Sequence, residues 1–188
     1  MRSRITLPVL LPVVLAALLL MAGCGSGSHA SHASHDSADV EFATQMIPHH
    51  RQAVTMAKLV AGKGADPAVT KLAATIEAAQ APEITKMSGW LRSWGEKVPS
   101  TGSMSGMSHH DMPGMMSAAD MTSLRTLTGA AFDEKWLTMM IEHHQGALTM
   151  ARTEVKKGES KAAVALARSI IDSQSEQITQ MKAALAAG

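Results

Sequence analysis

The chain is poor in several residues that usually carry protein chemistry. Among 188 residues it has one cysteine, no tyrosine and two phenylalanines. With Cys24 alone, no internal disulfide can form, and cysteine is removed as a repeated metal ligand. Excess charge of one sign is also lacking: 17 Lys and Arg stand against 16 Asp and Glu. No basic stripe is present to track phosphates, so nucleic acid is not an expected partner. Enzyme signatures are missing too. The chain contains no Glu-x-x-His, which a di-iron helical bundle needs, and no His-Glu-x-x-His of a zinc protease. No Ser or Cys nucleophile stands beside an obvious base.

Only one long apolar run occurs, Leu7 to Leu20, behind Arg2 and Arg4. It is short for a membrane-spanning helix and has the layout of an export signal. It ends at Met21-Ala22-Gly23-Cys24, which resembles a bacterial lipoprotein signal with Cys24 as the acylated residue. The expected organisation is a signal peptide over 1–23 and a flexible tether over 24–37. A helical domain over 38–188 follows, placed at the outer face of the cytoplasmic membrane or in the cell envelope. The tether carries His29, His32 and His35 among Gly, Ser and Ala, either as a solvated spacer or as a loose metal binder. Removing Arg2 and Arg4 leaves 15 basic against 16 acidic residues.

What the sequence has in quantity is methionine, 15 residues, together with nine histidines. Much of both falls in a duplicated stretch. Met46-Ile47-Pro48-His49-His50 leads to Ala53 and Met56-Ala57, and Met140-Ile141-Glu142-His143-His144 leads to Ala147 and Met150-Ala151. The copies are offset by 94 positions. They align without a gap from Asp39/Asp133 to Met87/Met181, with roughly 20 of 49 positions identical.

Helical periodicity runs through both copies. Phe42, Met46, His49, Ala53, Met56 and Val60 form one stripe, capped by Ser37 or Asp39 and stopped near Gly62 and Gly64. Asp66-Pro67 opens a second helix that reaches about Gly95. In the second copy, Trp136, Met140, His143, Ala147 and Met150 share a stripe, with Asp133 as the expected cap. A last helix runs from about Ser160 to Ala186. Between the copies, a short helix is expected from Ser117 to Thr128 with Gly129 as its stop. The predicted fold is all-α. Two antiparallel hairpins, over 38–96 and 132–188, close into a four-helix bundle across a Met/His-rich linker over 97–131.

Methionine at helical spacing is ordinary core filler, and Met87 and Met181 are read that way. The linker set Met104, Met107, His109, His110, Met112, Met115 and Met116 has no core to fill. Thioether sulfur is soft and uncharged, and it selects Cu(I), and by extension Ag(I). Candidate ligands in the bundle are Met46, His49, His50 and Met56, with Met139, Met140, His143, His144 and Met150. Only one histidine of each adjacent pair can fully share a face with its methionines. Gln80, Glu83, Gln174 and Gln177 are candidates to hold the imidazoles from outside the ligand shell.

These motifs resemble the bacterial family called "domain of unknown function 305". Its pattern is Met-Ile-x-His-His followed by Ala-x-x-Met-Ala, then Gln-x-x-Glu-Ile-x-x-Met. It corresponds here to Met46–Ala57 with Gln80, Glu83, Ile84 and Met87, and to Met140–Ala151 with Gln174, Ile178 and Met181. Met112-Pro113-Gly114-Met115-Met116 and Phe132-Asp133 are similar to the family as well. The resemblance implies a ferritin-like bundle, export, and copper binding or copper tolerance in some members. Gln177 departs from it, standing where the family has Glu. The expected function is copper binding, chiefly Cu(I), for sequestration, buffering or handover to another copper-handling protein. A copper-dependent oxidoreductase and a non-metal interaction module of the envelope are the rival readings.

Overall fold

A computed structural model describes residues 34–100 and 112–188. The signal segment, Cys24, His29 and His32 lie outside these residues, as do Met104, Met107, His109 and His110. Five helices and no strand are found among the described residues: α1 (Ser37–Leu59), α2 (Pro67–Ser93), α3 (Ala118–Thr126), α4 (Gly129–Lys157) and α5 (Lys161–Ala187). None is long and apolar enough to cross a membrane.

The N-cap of α1 is Asp36, one residue ahead of the expected Ser37 and three ahead of Asp39. Its carboxylate accepts the N–H of Ala38 and Asp39, while Asp39 accepts the N–H of Asp36 at 2.7 Å. Aspartate three residues into the helix completes a reciprocal box that satisfies otherwise orphaned amides. Asp66 caps α2 with Pro67 behind it, as expected. Ser117 caps α3 with Asp120 as its reciprocal partner, and Ser160 caps α5.

Two local expectations are corrected. Gly129 does not end α3; it is the first residue of α4, at φ +58°. Its N–H bonds the carbonyl of Lys63 at 2.8 Å in the α1–α2 turn, so a long-range contact sets this boundary. Asp133 does not cap α4, because the helix has already run one turn before it. It accepts the N–H of Asp66 at 2.9 Å instead. Its repeat partner Asp39 does the same for the other hairpin, accepting the N–H of Ser160 at 3.0 Å. Each hairpin's first helix thus holds the start of the other hairpin's second helix. Such a reciprocal bond follows from the duplication.

α1 and α4 cross antiparallel at the centre of the bundle. Trp136, early in α4, donates its indole N–H to the carbonyl of Met56, late in α1, at 2.9 Å. At the other end Asp39 lies against Glu154. Apolar side chains form two clusters. One includes Met56, Ile76, Trp136, Met140 and Met181. The other includes Phe42, Met46, Met87, Met150 and Ile170. Along every long helix the residues between these clusters are polar: His49 and His50, Gln80 and Glu83, His143 and His144, Gln174 and Gln177. The bundle therefore carries a polar layer across its middle.

Candidate metal centre

All four histidines of that layer are fully buried. His49 and His143 meet at the α1–α4 crossing with ring centroids 3.7 Å apart and planes tilted by 36°. His50 and His144 turn toward the outer helices. His50 Nε2 lies 2.6 Å from the Glu83 carboxylate, and His144 Nε2 lies 2.8 Å from Gln177 Oε1. The two contacts occupy equivalent repeat positions, one made with an acid and one with an amide. Adjacent helical residues point about 100° apart, so the His-His spacing sends one ring to the centre and its neighbour to the flanking helix.

His49 has a defined proton arrangement. Its Nε2 lies 3.2 Å from the Pro113 carbonyl, which can only accept, so Nε2 carries the hydrogen. In a neutral ring Nδ1 is then a bare lone pair, and no group among the described residues satisfies it. Both ring nitrogens of His143 are also without a partner among the described residues. Burial, with the nearby His50 adding to it, pushes the His49 pKa down to about 3, although the Pro113 contact opposes this. Burial also drives His143 well below the ordinary imidazole value, with His49 the next contributor. His144 falls to about 4, again through burial, with the Gln177 contact opposing. The central rings are therefore neutral at physiological pH, and no proton competes for their lone pairs.

Leaving a buried polar atom unpaired costs on the order of 1–3 kcal/mol. The layer contains several: Nδ1 of His49, His50 and His144, both nitrogens of His143, and both amide atoms of Gln80. The acceptors among them, Nδ1 of His49 and one ring nitrogen of His143, are lone pairs that a cation would satisfy. Among the described residues no three His, Asp, Glu or Cys side chains converge as a metal site. The additional donor type within one turn of each central histidine is thioether. Met46 precedes His49 by three residues and Met140 precedes His143 by three, which puts each pair on one face. Both methionines are fully buried. The donor set is soft, and it fits Cu(I) or Ag(I) better than a hard ion.

The other candidate methionines sit differently. Met56 and Met150 are seven residues from the central histidine of their own helix, about 10 Å along the axis; all four methionines border the apolar clusters, and Met46 and Met140 differ in lying one turn from the histidines. Met139 is also buried in the core. Among linker residues, Met112 and Met116 are buried and Met115 is half-buried. Gln80 and Gln174 are buried in the layer, and Gln174 Oε1 has no partner among the described residues.

Sequence reasoning did not single out the segment Met112–Met116 as a structural part of this centre. It lies across α1 and α4 beside the central histidines. Gln52 on α1 holds its end at both polar atoms: Nε2 donates to the Met116 carbonyl at 2.9 Å, and Oε1 accepts the Met116 N–H at 2.7 Å. Its neighbour Arg51 donates to the carbonyl of Pro99 at 2.7 Å. A Cβ added to Gly146 would lie 1.9 Å from the Pro113 carbonyl oxygen, and one on Gly114 would lie 2.6 Å from the Glu142 carbonyl oxygen. The repeat alignment held a signal for this. Gln52 and Gly146 are equivalent positions that differ just after the two His-His pairs.

Comparison with known proteins agrees with the fold. The family described as Domain of unknown function (DUF305) matches residues 39–185. A DUF305 protein of Streptomyces coelicolor, assigned as secreted, is 36% identical with TM-score 0.72, covering 80% of this chain and 93% of its own. A DUF305 fragment from Deinococcus radiodurans is 29% identical with TM-score 0.72, covering 81% and 98%. CopM in its Cu(I)-bound form is 32% identical with TM-score 0.64, covering 77% and 92%. No curated protein matches the chain. The chain belongs to the DUF305 family.

Proposed function

We propose that this protein binds Cu(I), or Ag(I), outside the cytoplasm and serves to sequester, buffer or hand on the ion. The observation that carries this reading is the His49–His143 contact. Two neutral, buried imidazoles lie against each other with their planes tilted by 36°, with nitrogens unpaired among the described residues and a methionine one helical turn before each. His49, His143, Met46 and Met140 would hold the ion, with His49 binding through Nδ1. Glu83 and Gln177 orient His50 and His144 beside them. Met112, Met115 and Met116, with Met104, Met107, His109 and His110, would supply further soft donors in the linker. CopM, similar in fold and sequence, has been solved with Cu(I), Cu(II) and Ag bound, which supports a copper- or silver-related role. Export rests on the N-terminal signal pattern and on the likeness to the Streptomyces protein assigned as secreted. Anchoring through Cys24 is part of the same proposal.

The test is an anaerobic Cu(I) titration of the protein against a competing chelator, with Zn(II) run alongside. Tight Cu(I) binding with weak Zn(II) binding is expected. His49→Ala with His143→Ala should lower Cu(I) affinity while helical content is retained. Failure of the wild-type protein to compete for Cu(I) would overturn the reading.

A further inference from the structure

The duplication breaks where a strap, Met112–Met116, crosses it. Around the central histidines the repeats read His49-His50-Arg51-Gln52-Ala53 and His143-His144-Gln145-Gly146-Ala147. The two repeats present equivalent positions on α1 and α4 to a crossing segment, and among the described residues one segment, Met112–Met116, crosses both, so that its two ends meet different neighbours. At the first place Gln52 grips Met116 through both amide atoms. At the second, Gly146 provides the space that Pro113 and Gly114 occupy, with backbone closer than any Cβ would allow. The difference between these equivalent residues thus has one cause, the passage of the strap.

Its consequence falls on His49. Gln52 lies three residues after His49 on α1, and the strap held at Met116 presents the Pro113 carbonyl to His49 Nε2. That carbonyl fixes the hydrogen on Nε2 and leaves Nδ1 as the donor nitrogen. We propose that Gln52 is a positioning residue for the metal centre: by clamping Met112–Met116 against Gly146 it sets the tautomer and direction of His49 without touching the ion. This inference rests on the metal-binding reading for its effect on affinity, but its first step concerns the metal-free protein.

The Gln52 amide has one donor and one acceptor engaged, so its substitutions are graded. Gln52→Ala removes both contacts. Gln52→Glu keeps the acceptor for the Met116 N–H and loses the donor to its carbonyl. Gly146→Ala acts from the opposite side, pushing Pro113 away while Gln52 is intact.

The experiment is 15N NMR of the histidine rings in the metal-free full chain, followed by Ag(I) competition titration of the same samples. In the wild-type protein His49 should be a single Nε2–H tautomer. Gln52→Ala and Gly146→Ala should each mix the tautomers with unchanged helical circular dichroism and weaken Ag(I) binding roughly 10-fold or more, the range for lost support of a ligand. Gln52→Glu should fall between. An unchanged His49 tautomer in both Gln52→Ala and Gly146→Ala would overturn the clamp. A changed tautomer with unchanged Ag(I) affinity would overturn its role at the metal centre. If the wild-type protein fails to bind Ag(I) at all, the metal reading fails, while the NMR result still decides the clamp.

Discussion

Glu154 should make the bundle lose stability in mild alkali. It is 1% exposed, and its carboxyl abuts Asp39 where α1, α4 and the start of α5 meet. Burial first, then the hydrogen bond and the negative charge of Asp39, push the Glu154 pKa from 4.5 up to about 8. Burial also acts to raise Asp39. It is outweighed by hydrogen bonds from Glu154 and from the N–H groups of Asp36, Ser160 and Glu159, which hold Asp39 below its ordinary value. At neutral pH the pair is one anion and one acid, with Glu154 donating. The folded state therefore binds a proton that the unfolded chain releases above pH 4.5. Stability falls as pH rises from there until the folded group itself ionises near 8. The upper bound is about 5 kcal/mol at 1.36 kcal/mol per pH unit. Local rearrangement and solvent screening reduce the expected loss to about 2–3 kcal/mol between pH 5 and 9. Glu154→Gln keeps a donor toward Asp39 and removes the titration. In urea denaturation across that range, wild-type stability should drop while the variant stays level, so that the variant is the more stable at pH 9. Parallel curves for the two proteins would refute the shared-proton account.

The remaining predictions concern the bundle. Met46→Leu and Met140→Leu should each weaken Cu(I) binding about 10-fold or more, whereas Met56→Leu should leave it unchanged. All three should cost under about 1.5 kcal/mol in stability, since volume is conserved; equal Cu(I) affinities across the set would refute the ligand assignment. Asp133→Ala should destabilise by about 1 kcal/mol through loss of its bond to the Asp66 N–H, read as a lowered melting temperature. Asp39→Ala should cost more, because Asp39 accepts from Asp36, Glu159 and Ser160. Trp136→Phe should cost about 1–2 kcal/mol by leaving the Met56 carbonyl without its indole donor, measurable by denaturant unfolding.

The parts of this fold that were legible in the sequence depend on short-range rules. Helical periodicity, the Asp66-Pro67 start, the Ser117 cap and the expected start near Ser160 place the beginnings of α2, α3 and α5 to within a residue or two. The 94-residue offset shows that two equivalent hairpins must face each other. Contacts between the hairpins were the ones that escaped. Gly129 has the composition of a helix stop, yet it opens α4 because its N–H reaches Lys63. Asp133 has the composition of a cap, yet it serves a helix 67 residues away. The His-His pairs announced two ring directions without saying which ring faces which. The answer, His49 against His143, follows from the antiparallel α1–α4 crossing, which spacing within one repeat cannot encode.

The strap shows where a duplicated sequence says more than a single copy. In an ideal duplication, equivalent positions serve equivalent neighbours, so a mismatch inside an otherwise matching motif marks surroundings that differ between the two sides. Gln52 opposite Gly146 is such a mismatch, and the structure puts one end of the strap at each. Glu83 opposite Gln177 is another: His50 has a carboxylate to hold its Nε2–H, and His144 has an amide. A carboxylate and an amide support a ligand imidazole differently, so the two halves of the polar layer differ in the outer partner of their histidines although their helices superpose in sequence. Gln177→Glu removes that difference. It should strengthen Ag(I) binding if His144 takes part in coordination and leave it unchanged if the ion rests on His49 and His143 alone. Ag(I) titration of Gln177→Glu beside the wild-type protein thus separates a two-imidazole centre from one that draws on the outer rings.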